Sequence, residues 1–448
     1  MAPTSPPELM LADSSRVGVI GGGPAGSFFA YFLLEMAEAV GVHLEVDIYE
    51  PRDFALSGPG GCNMCGGVVS ESLVQALAAE GIQLPPSVVQ RGIDSYFLHM
   101  DVGDVRIETP RHEKRIAAVY RGGGPRATPM SDTQRQGLDG HLLKLAVGRG
   151  ARLVRSRVES VEWLHGRPRT RAQNGVQQTY DLLVPAVGIN SVALKMLSSA
   201  CLQYHPPKAS KTYICEFCFG RDVIKRDLGD SMHVFLLNIP RLEFAALIPK
   251  GEFATLCLLG EDIDKALVQD FLHSPVVQQV LPPDWQVPDT FCHCSPKINI
   301  GSAVRPFADR VVFVGDCATT RLYKDGIGAA YRTAKAAAKT AIFEGVSAEA
   351  FRLHYEPICH RIRRDNFLGK VVFSVTKLVQ GWKRSRRGLL RMLFEEQREG
   401  SNRHDMSTVL WDTFTGSAPY GSVLGRTLWP SFWGRFLWDI VRANGHRS

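Results

Sequence analysis

Residues Arg16–Glu35 read "RVGVIGGGPAGSFFAYFLLE". The apolar run Val17–Ile20 has the length and composition of a buried strand. Gly21, Gly23 and Gly26 follow at GxGxxG spacing, with Pro24 and Ala25 between them, and Ser27–Glu35 continues as an apolar helix. Each glycine has a task in a dinucleotide-binding turn. The first allows the tight turn, the second lets the backbone approach a pyrophosphate, and the third lets the helix pack on the strand. The helix N-terminus then offers unpaired N–H groups to the phosphates. A second apolar strand, "LEVDIYE", ends in Glu50, 24 residues after Gly26, where a carboxylate would accept hydrogen bonds from a ribose diol. Glycine-rich turns arise by chance. Strand, turn, helix, strand and terminal acid in that order are far more specific.

Two segments further along narrow the choice of dinucleotide. "RQGLDGHLLKLAVGRGARL" gives Arg135-x-x-Leu138-Asp139-x-x-Leu142, then a helix and a turn at Gly150. "DRVVFVGDCATTRLYKDGIGAAYRTAKAAAK" gives a strand ending in Gly315-Asp316, a turn, and an alanine-rich helix. With these segments the chain resembles the FAD-dependent oxidoreductases built like para-hydroxybenzoate hydroxylase, and within them the geranylgeranyl reductase family, over about residues 16–355. The resemblance implies FAD as cofactor. It implies that Asp316 meets the flavin ribityl chain, that Arg135 lies near the phosphates, and that Gly326-Ile327-Gly328 aims backbone N–H groups at the flavin pyrimidine edge. The alternative for Asp316 taken alone is a strand-end helix cap, which the company of the other two motifs makes the weaker reading.

The stretch Gly60–Val69 reads "GGCNMCGGVV". The reductase family has a CGGxxS loop after its second strand, matched here by Cys65-Gly66-Gly67-Val68-Val69-Ser70. By that resemblance Cys65 sits beside the flavin and the substrate cavity. The flanking glycines suit a backbone that passes close to an isoalloxazine ring, where Cβ atoms have no room. Ser70 before "ESLVQALAAEG" reads as an N-capped helix. A redox disulfide between Cys62 and Cys65 stays open beside the expected single flavin-facing thiol. A zinc site is not expected. Cys215 and Cys218 fall in an aromatic, β-branched segment, and residues three apart on a strand point to opposite faces, roughly 10 Å apart. Cys292 and Cys294 lie too close along an extended chain for the usual knuckle.

Between Cys201 and Cys294 the pattern turns strand-like, with Pro-Arg and Pro-Lys-Gly-Glu turns, and predicts an antiparallel sheet. The family's Y-x-W-x-F-P motif, which lines a lipid cavity, is matched by Phe244, Ala246, Ile248 and Pro249. Alanine replaces the tryptophan, so an apolar and wider cavity is expected. Flavin hydroxylases often carry an acidic DG pair before an NS turn, where this chain has Val187-Gly188-Ile189-Asn190-Ser191. The W-x-W-x-I-P of flavin halogenases is absent too.

The chain has 448 residues, 45% hydrophobic, ten cysteines and a net charge of +7. Residues 361–400 hold eleven Lys/Arg against four Asp/Glu, which accounts for that whole excess. The rest is near neutral, which argues against a nucleic-acid binder. "MAPTSPPELMLADSS" reads as a short disordered leader without signal-peptide features. With ten cysteines, this predicts a reducing, cytoplasmic setting. No stretch is apolar for long enough to predict a membrane span. Leu368, Val371, Val372, Val375, Leu378, Val379 and Trp382 recur at helical spacing before Lys383-Arg384-Ser385-Arg386-Arg387. Five of the seven tryptophans follow residue 380. Basic charge beside Trp and Phe predicts an interfacial element on the anionic inner face of a membrane; the alternative is a helical cap on the flavin domain.

The expected architecture is α/β. A Rossmann-like FAD domain (16–98, 128–200, 295–358) joins an antiparallel β-sheet substrate domain (99–127, 201–294) and a basic, Trp-rich C-terminal helical extension (361–448). The expected function is FAD-dependent reduction of carbon–carbon double bonds in a prenyl lipid or prenylquinone, with NAD(P)H or a small redox protein as electron donor and no metal. Two alternatives are a flavin monooxygenase acting on an apolar or aromatic substrate, and a non-catalytic prenyl-lipid binder. The second has precedent in the Rab GDP-dissociation inhibitors, which share this fold.

Overall fold

The computed structural model describes residues 9–62, 65–109, 116–125, 136–201, 203–283, 285, 291–398, 401 and 404–445. Arg16–Ile20 and Glu45–Tyr49 are parallel neighbours at the centre of a six-stranded sheet. Its order is Phe307–Ala308, Val311–Val312, Leu182–Pro185, Arg16–Ile20, Glu45–Tyr49, Arg152–Val154, parallel except for the first pair. Parallel strands must be covered on both faces, and their near-continuous apolar runs reflect that. The helix Pro24–Ala39 covers one face together with Gly326–Phe343, the alanine-rich helix. Small side chains at Ala330, Ala334, Ala337, Ala338 and Ala341 are buried at this packing, so the two helices approach closely.

The predicted antiparallel sheet is present. Seven strands run in the order Cys292–Cys294, Tyr213–Cys218, Phe253–Gly260, Leu242–Lys250, Ser231–Phe235, Ser95–Met100, Gly103–Glu108. All pairs are antiparallel except Ser231–Phe235 with Ser95–Met100. That exception moves a boundary. Ser95–Met100 runs across the division expected at residue 98, and its parallel register with Ser231–Phe235 holds all of it in this sheet.

Strand alternation gives the sheet two apolar faces. Cys215, Leu247, Leu256 and Phe235 pack beneath the helix Lys265–Leu272. The opposite face, with Tyr96, Leu98, Phe244, Ala246 and Ile248, is covered by the C-terminal extension. Five tail helices form it among the described residues: Glu356–Gly381, Lys383–Gln397, Asp405–Thr415, Tyr420–Thr427 and Pro430–Gly445. Trp411 is 0% exposed, with its ring 5.7 Å from Tyr96. Phe414 and Phe244 meet edge to face at 5.2 Å. The extension therefore completes the core of the β-sheet region. It is not an appendage beside it.

Candidate active site

The glycine-rich turn takes its shape from contacts that only glycine allows. Gly21 has φ +109, and a Cβ there would lie 2.8 Å from the Ala186 carbonyl oxygen. A Cβ on Gly26 would lie 1.9 Å from the Gly21 carbonyl oxygen, so this residue closes helix against turn. Gly23 differs: nothing comes nearer to its Cβ position than Asp139 at 3.9 Å and Arg121 at 4.0 Å. That open side faces the start of helix Pro24–Ala39, whose Gly23 cap supplies no side-chain acceptor, leaving first-turn N–H groups free for an anion.

Glu50 is buried immediately after its strand. One oxygen accepts the Gly22 N–H at 3.0 Å, and the other accepts the Arg52 N–H at 3.0 Å. The same oxygen also accepts the Arg52 Nε–H at 3.4 Å, so the carboxylate braces the turn and Oε2 alone keeps a second lone pair for a ligand.

Arg135 lies outside the described residues. Among the arginines that line this cleft is Arg121, which the sequence reading missed. It forms a bidentate pair with fully buried Asp139, through Nε to Oδ1 and Nη2 to Oδ2, the latter 3.0 Å long. The Asp139 N–H donates back to the Arg121 carbonyl at 3.0 Å, and the Leu138 N–H to the Tyr120 carbonyl at 2.8 Å. A Cβ on Gly137 would lie 2.5 Å from the Gly122 carbonyl oxygen. The chain thus leaves this point after Arg121 and returns to it at Gly137, which sets an arginine beside Leu138-Asp139 across a long excursion in sequence. Burial disfavours the Arg121 charge, but Asp139, Cys65 and Asp316 outweigh it and hold the guanidinium charged.

Asp316 follows Gly315, whose φ is +69. Burial raises its carboxyl pKa, and Arg121 opposes the shift. Gly326 and Ile327 open the alanine-rich helix and line the same cavity. Gly328 does not line it. Its missing side chain leaves room for Asp325, whose Oδ1 would lie 2.1 Å from a Cβ there.

The Cys65 loop forms the junction between this cleft and the antiparallel sheet. The Gly67 N–H donates to Cys65 Sγ at 3.4 Å. Cys65, Gly66, Gly67 and Val68 line the cavity; Cys62 is not among its lining residues. Cys65 is a free thiol. The protein itself explains the glycines. A Cβ on Gly66 would lie 2.9 Å from Cys257 Sγ, and one on Gly67, at φ +66, would lie 1.9 Å from the Val119 carbonyl oxygen. Contact with the seven-stranded sheet at Gly66, and with the strand Ile116–Val119 at Gly67, therefore dictates these residues. The expected ring contact is not needed to account for them. Ser70 caps the next helix as predicted, its hydroxyl accepting the Leu73 N–H at 3.3 Å.

Beyond the loop the walls are apolar. Phe244, Ala246 and Ile248 line the cavity from alternate positions of one strand, with Met232 and Cys257 from its neighbours and Ile214 from one strand further out. Pro249 does not line it, because the next residue along an alternating strand projects from the other face. Phe414 and Thr415 from the tail close the far side. The whole space, from Gly21 past Cys65 to Phe414, is one cavity of about 590 Å³.

Two lysines in this region carry no signal in the sequence. Lys324 sits on the cavity wall with its nitrogen 5.4–5.9 Å from the ring centres of Phe244, Phe373, Phe414 and Tyr420. It has no hydrogen-bond partner among the described residues, and burial holds its pKa well below the usual lysine value. Lys250 is fully buried beneath Gly67, 5.1 Å from the centre of the Tyr120 ring.

Elsewhere, Cys215 is buried and Cys218 exposed on one strand, as alternation requires. Among the described residues no group of three or more His, Cys, Asp or Glu is placed to hold a metal ion.

No protein-family model matches the chain, and no curated protein matches its sequence. Solved structures do match its fold. A geranylgeranyl bacteriochlorophyll reductase-like protein from Thermoplasma acidophilum superposes with TM-score 0.65 at 16% identity, covering 93% of this chain and 99% of its own. Halogenase PltM in complex with FAD gives 0.60 at 10% identity, covering 96% and 97%. A 2-methyl-3-hydroxypyridine-5-carboxylic acid oxygenase gives 0.55 at 17% identity, covering 83% and 94%. The chain therefore has the fold of FAD-dependent oxidoreductases and monooxygenases built like para-hydroxybenzoate hydroxylase.

Proposed function

We propose that the chain is an FAD-dependent oxidoreductase that reduces carbon–carbon double bonds of a prenyl lipid or prenylquinone. The observation that carries this reading is the single cavity, which runs from the glycine-rich turn past Cys65 to apolar walls. The residues fit the dinucleotide. Gly23 and the helix start leave an open cradle for a pyrophosphate, Glu50 stands where a ribose diol would lie, and Asp316 and Gly326-Ile327 border the flavin end. Bound there, FAD would supply two-electron chemistry from its reduced state. Arg121, paired with Asp139, would set positive charge beside the phosphates. Phe244, Ala246, Ile248 and Phe414 would exclude water and align an apolar chain, and alignment matters because an isolated alkene is a poor acceptor. Cys65 would hold a proton at Sγ at the junction of the two regions. The electron donor in this scheme is NAD(P)H or a small redox protein.

The test compares lipid and quinone extracts from cells with and without the gene by mass spectrometry. Products heavier by two hydrogens per double bond support the reductase. Gain of one oxygen atom would establish a monooxygenase instead, and colourless purified protein would point to a lipid carrier. In the reductase, Cys65→Ser should retain flavin yet slow transfer by about 10²–10⁴-fold, the range for a positioned acid. Equal damage from Cys62→Ser would favour the disulfide.

A further inference from the structure

The last tail helix, Pro430–Gly445, is apolar on two opposite sides. Phe432 and Phe436 are each 5% exposed, and Ile440 packs with them in the core. Gly388 admits this side of the helix, since a Cβ there would lie 2.4 Å from Ile440 Cγ1. At about 100° per residue, Trp433 follows at the edge of this side, its ring 5.7 Å from Phe432 and 6.0 Å from Phe436, and Leu437, Val441 and Trp438 run on round to the other side. They are 37%, 59%, 63% and 56% exposed, and Leu428 and Trp429 extend the patch at 71% and 70%. No charged residue interrupts the stripe. Arg435 and Arg442 flank it, and the Arg442 guanidinium lies 4.8 Å from the Trp438 ring centre.

Beside the helix end at Ala443 lies an open groove lined by Arg387, Arg391, Arg398 and Phe394, with Glu395 as its one acid. Arg391 is paired with Glu395 at 3.2 Å and with Asp439 at 3.5 Å. Glu395 and Asp439 offset Arg391, so the basic excess of the groove rests with Arg387 and Arg398.

An exposed apolar stripe of this size needs a cover. Its composition identifies one. Tryptophan favours the boundary between headgroups and acyl chains, and arginine beside it meets phosphate. We propose that this face seats in an anionic bilayer surface, with Trp433, Leu437, Trp438 and Val441 entering the acyl boundary and Arg387 and Arg398 meeting lipid phosphates. The helix lies flat: no helix among the described residues is long and apolar enough to cross a membrane. Its buried side belongs to the same apolar cluster as Phe244, Ala246, Ile248 and Phe414. This docking stands apart from the choice of substrate.

Full-length protein is floated with vesicles of phosphatidylcholine alone and of phosphatidylcholine mixed with phosphatidylglycerol, with flavin content recorded for every variant. Wild type should bind the anionic vesicles and release with salt. Trp433→Ser/Trp438→Ser should weaken binding about tenfold or more. Leu437→Ser/Val441→Ser, at more exposed positions, repeats the test should the first pair disturb folding. Arg387→Gln/Arg398→Gln should weaken binding about thirtyfold at low salt, from about fivefold per basic residue. Equal binding to neutral vesicles, or unchanged binding of both stripe variants, overturns the proposal. So does wild-type self-association that the stripe variants abolish without any vesicle binding, which would make a second copy the cover. Unaltered flavin content with lost vesicle binding separates this result from any failure of the flavin reading.

Discussion

Gly66→Ala tests whether packing alone sets the composition of the Cys65 loop. The added methyl would stand 2.9 Å from Cys257 Sγ and 3.5 Å from Ile248 Cδ1. Gly66 has no positive φ, so the substitution brings steric pressure without backbone strain. Cys257 is 4% exposed in mid-strand, between Ile214 and Ala246 on the neighbouring strands, and has little room to yield. Overpacking of this kind costs about 1–3 kcal/mol. With Cys257→Ala as background, the nearest remaining atom is Ile248 Cδ1 at an ordinary contact distance of 3.5 Å, so Gly66→Ala should then be almost neutral. A double-mutant cycle by urea unfolding should give a favourable coupling of about 1–2 kcal/mol. Gly67→Ala should show no such rescue, because its clash is with the Val119 backbone carbonyl at φ +66. Equal destabilisation by Gly66→Ala in both backgrounds would refute the packing account. A loss confined to flavin-loaded protein would restore ring contact as the reason for the glycine.

Three further outcomes follow from buried charge and the tail. Arg121→Met should destabilise by about 3–5 kcal/mol, because it strands the Asp139 carboxylate, and Arg121→Met/Asp139→Leu should recover stability in thermal melts but not flavin retention. His99 and His233 stack in the sheet with Nε2 and Nδ1 2.9 Å apart, and burial lowers their pKa values to about 4 and about 3. Below the unfolded value of about 6.5 the unfolded chain binds protons that the folded chain refuses, so their stabilisation is complete above that pH. It should fall by about 1.4 kcal/mol per unit per histidine toward pH 4, a slope that His99→Phe/His233→Phe should flatten in unfolding titrations. Removing residues 405–448 should yield protein that aggregates, as judged by gel filtration, because it uncovers Tyr96 and Phe244; Trp411→Ala alone should cost about 3–5 kcal/mol by denaturant melt.

Local signals were legible in the sequence wherever local physics makes the structure. The glycine turn needs only its neighbours, so GxGxxG, the two strands and Glu50 stand where spacing put them. Alternation exposed the antiparallel sheet, and it held the means to remove Pro249 from the cavity, since Phe244, Ala246 and Ile248 already occupy one side. Arg121 could not be read in this way. Its place beside Asp139 depends on a return of the chain at Gly137 that no sequence window contains. Lys250 falls in a predicted turn and Lys324 carries no signal, because lysine is usually a surface residue; only the assembled surroundings bury the first and set the second among aromatic rings.

The tail shows the limit most clearly. Trp411 and Trp438 occur in similar amphipathic segments, yet one is 0% exposed against Tyr96 and the other is 56% exposed. Periodicity reports that a helix has an apolar stripe; it does not report what covers the stripe. Here the Asp405–Thr415 helix spends its apolar side on the sheet, whereas Pro430–Gly445 has one stripe for the core and one left over. Cutting off the extension would therefore remove a cavity wall and the exposed face together, and the two roles would be confounded. Substitutions confined to Leu437, Trp438 and Val441 separate them, because these side chains lie outside the buried cluster, whereas Trp433 rests on its Phe432 and Phe436.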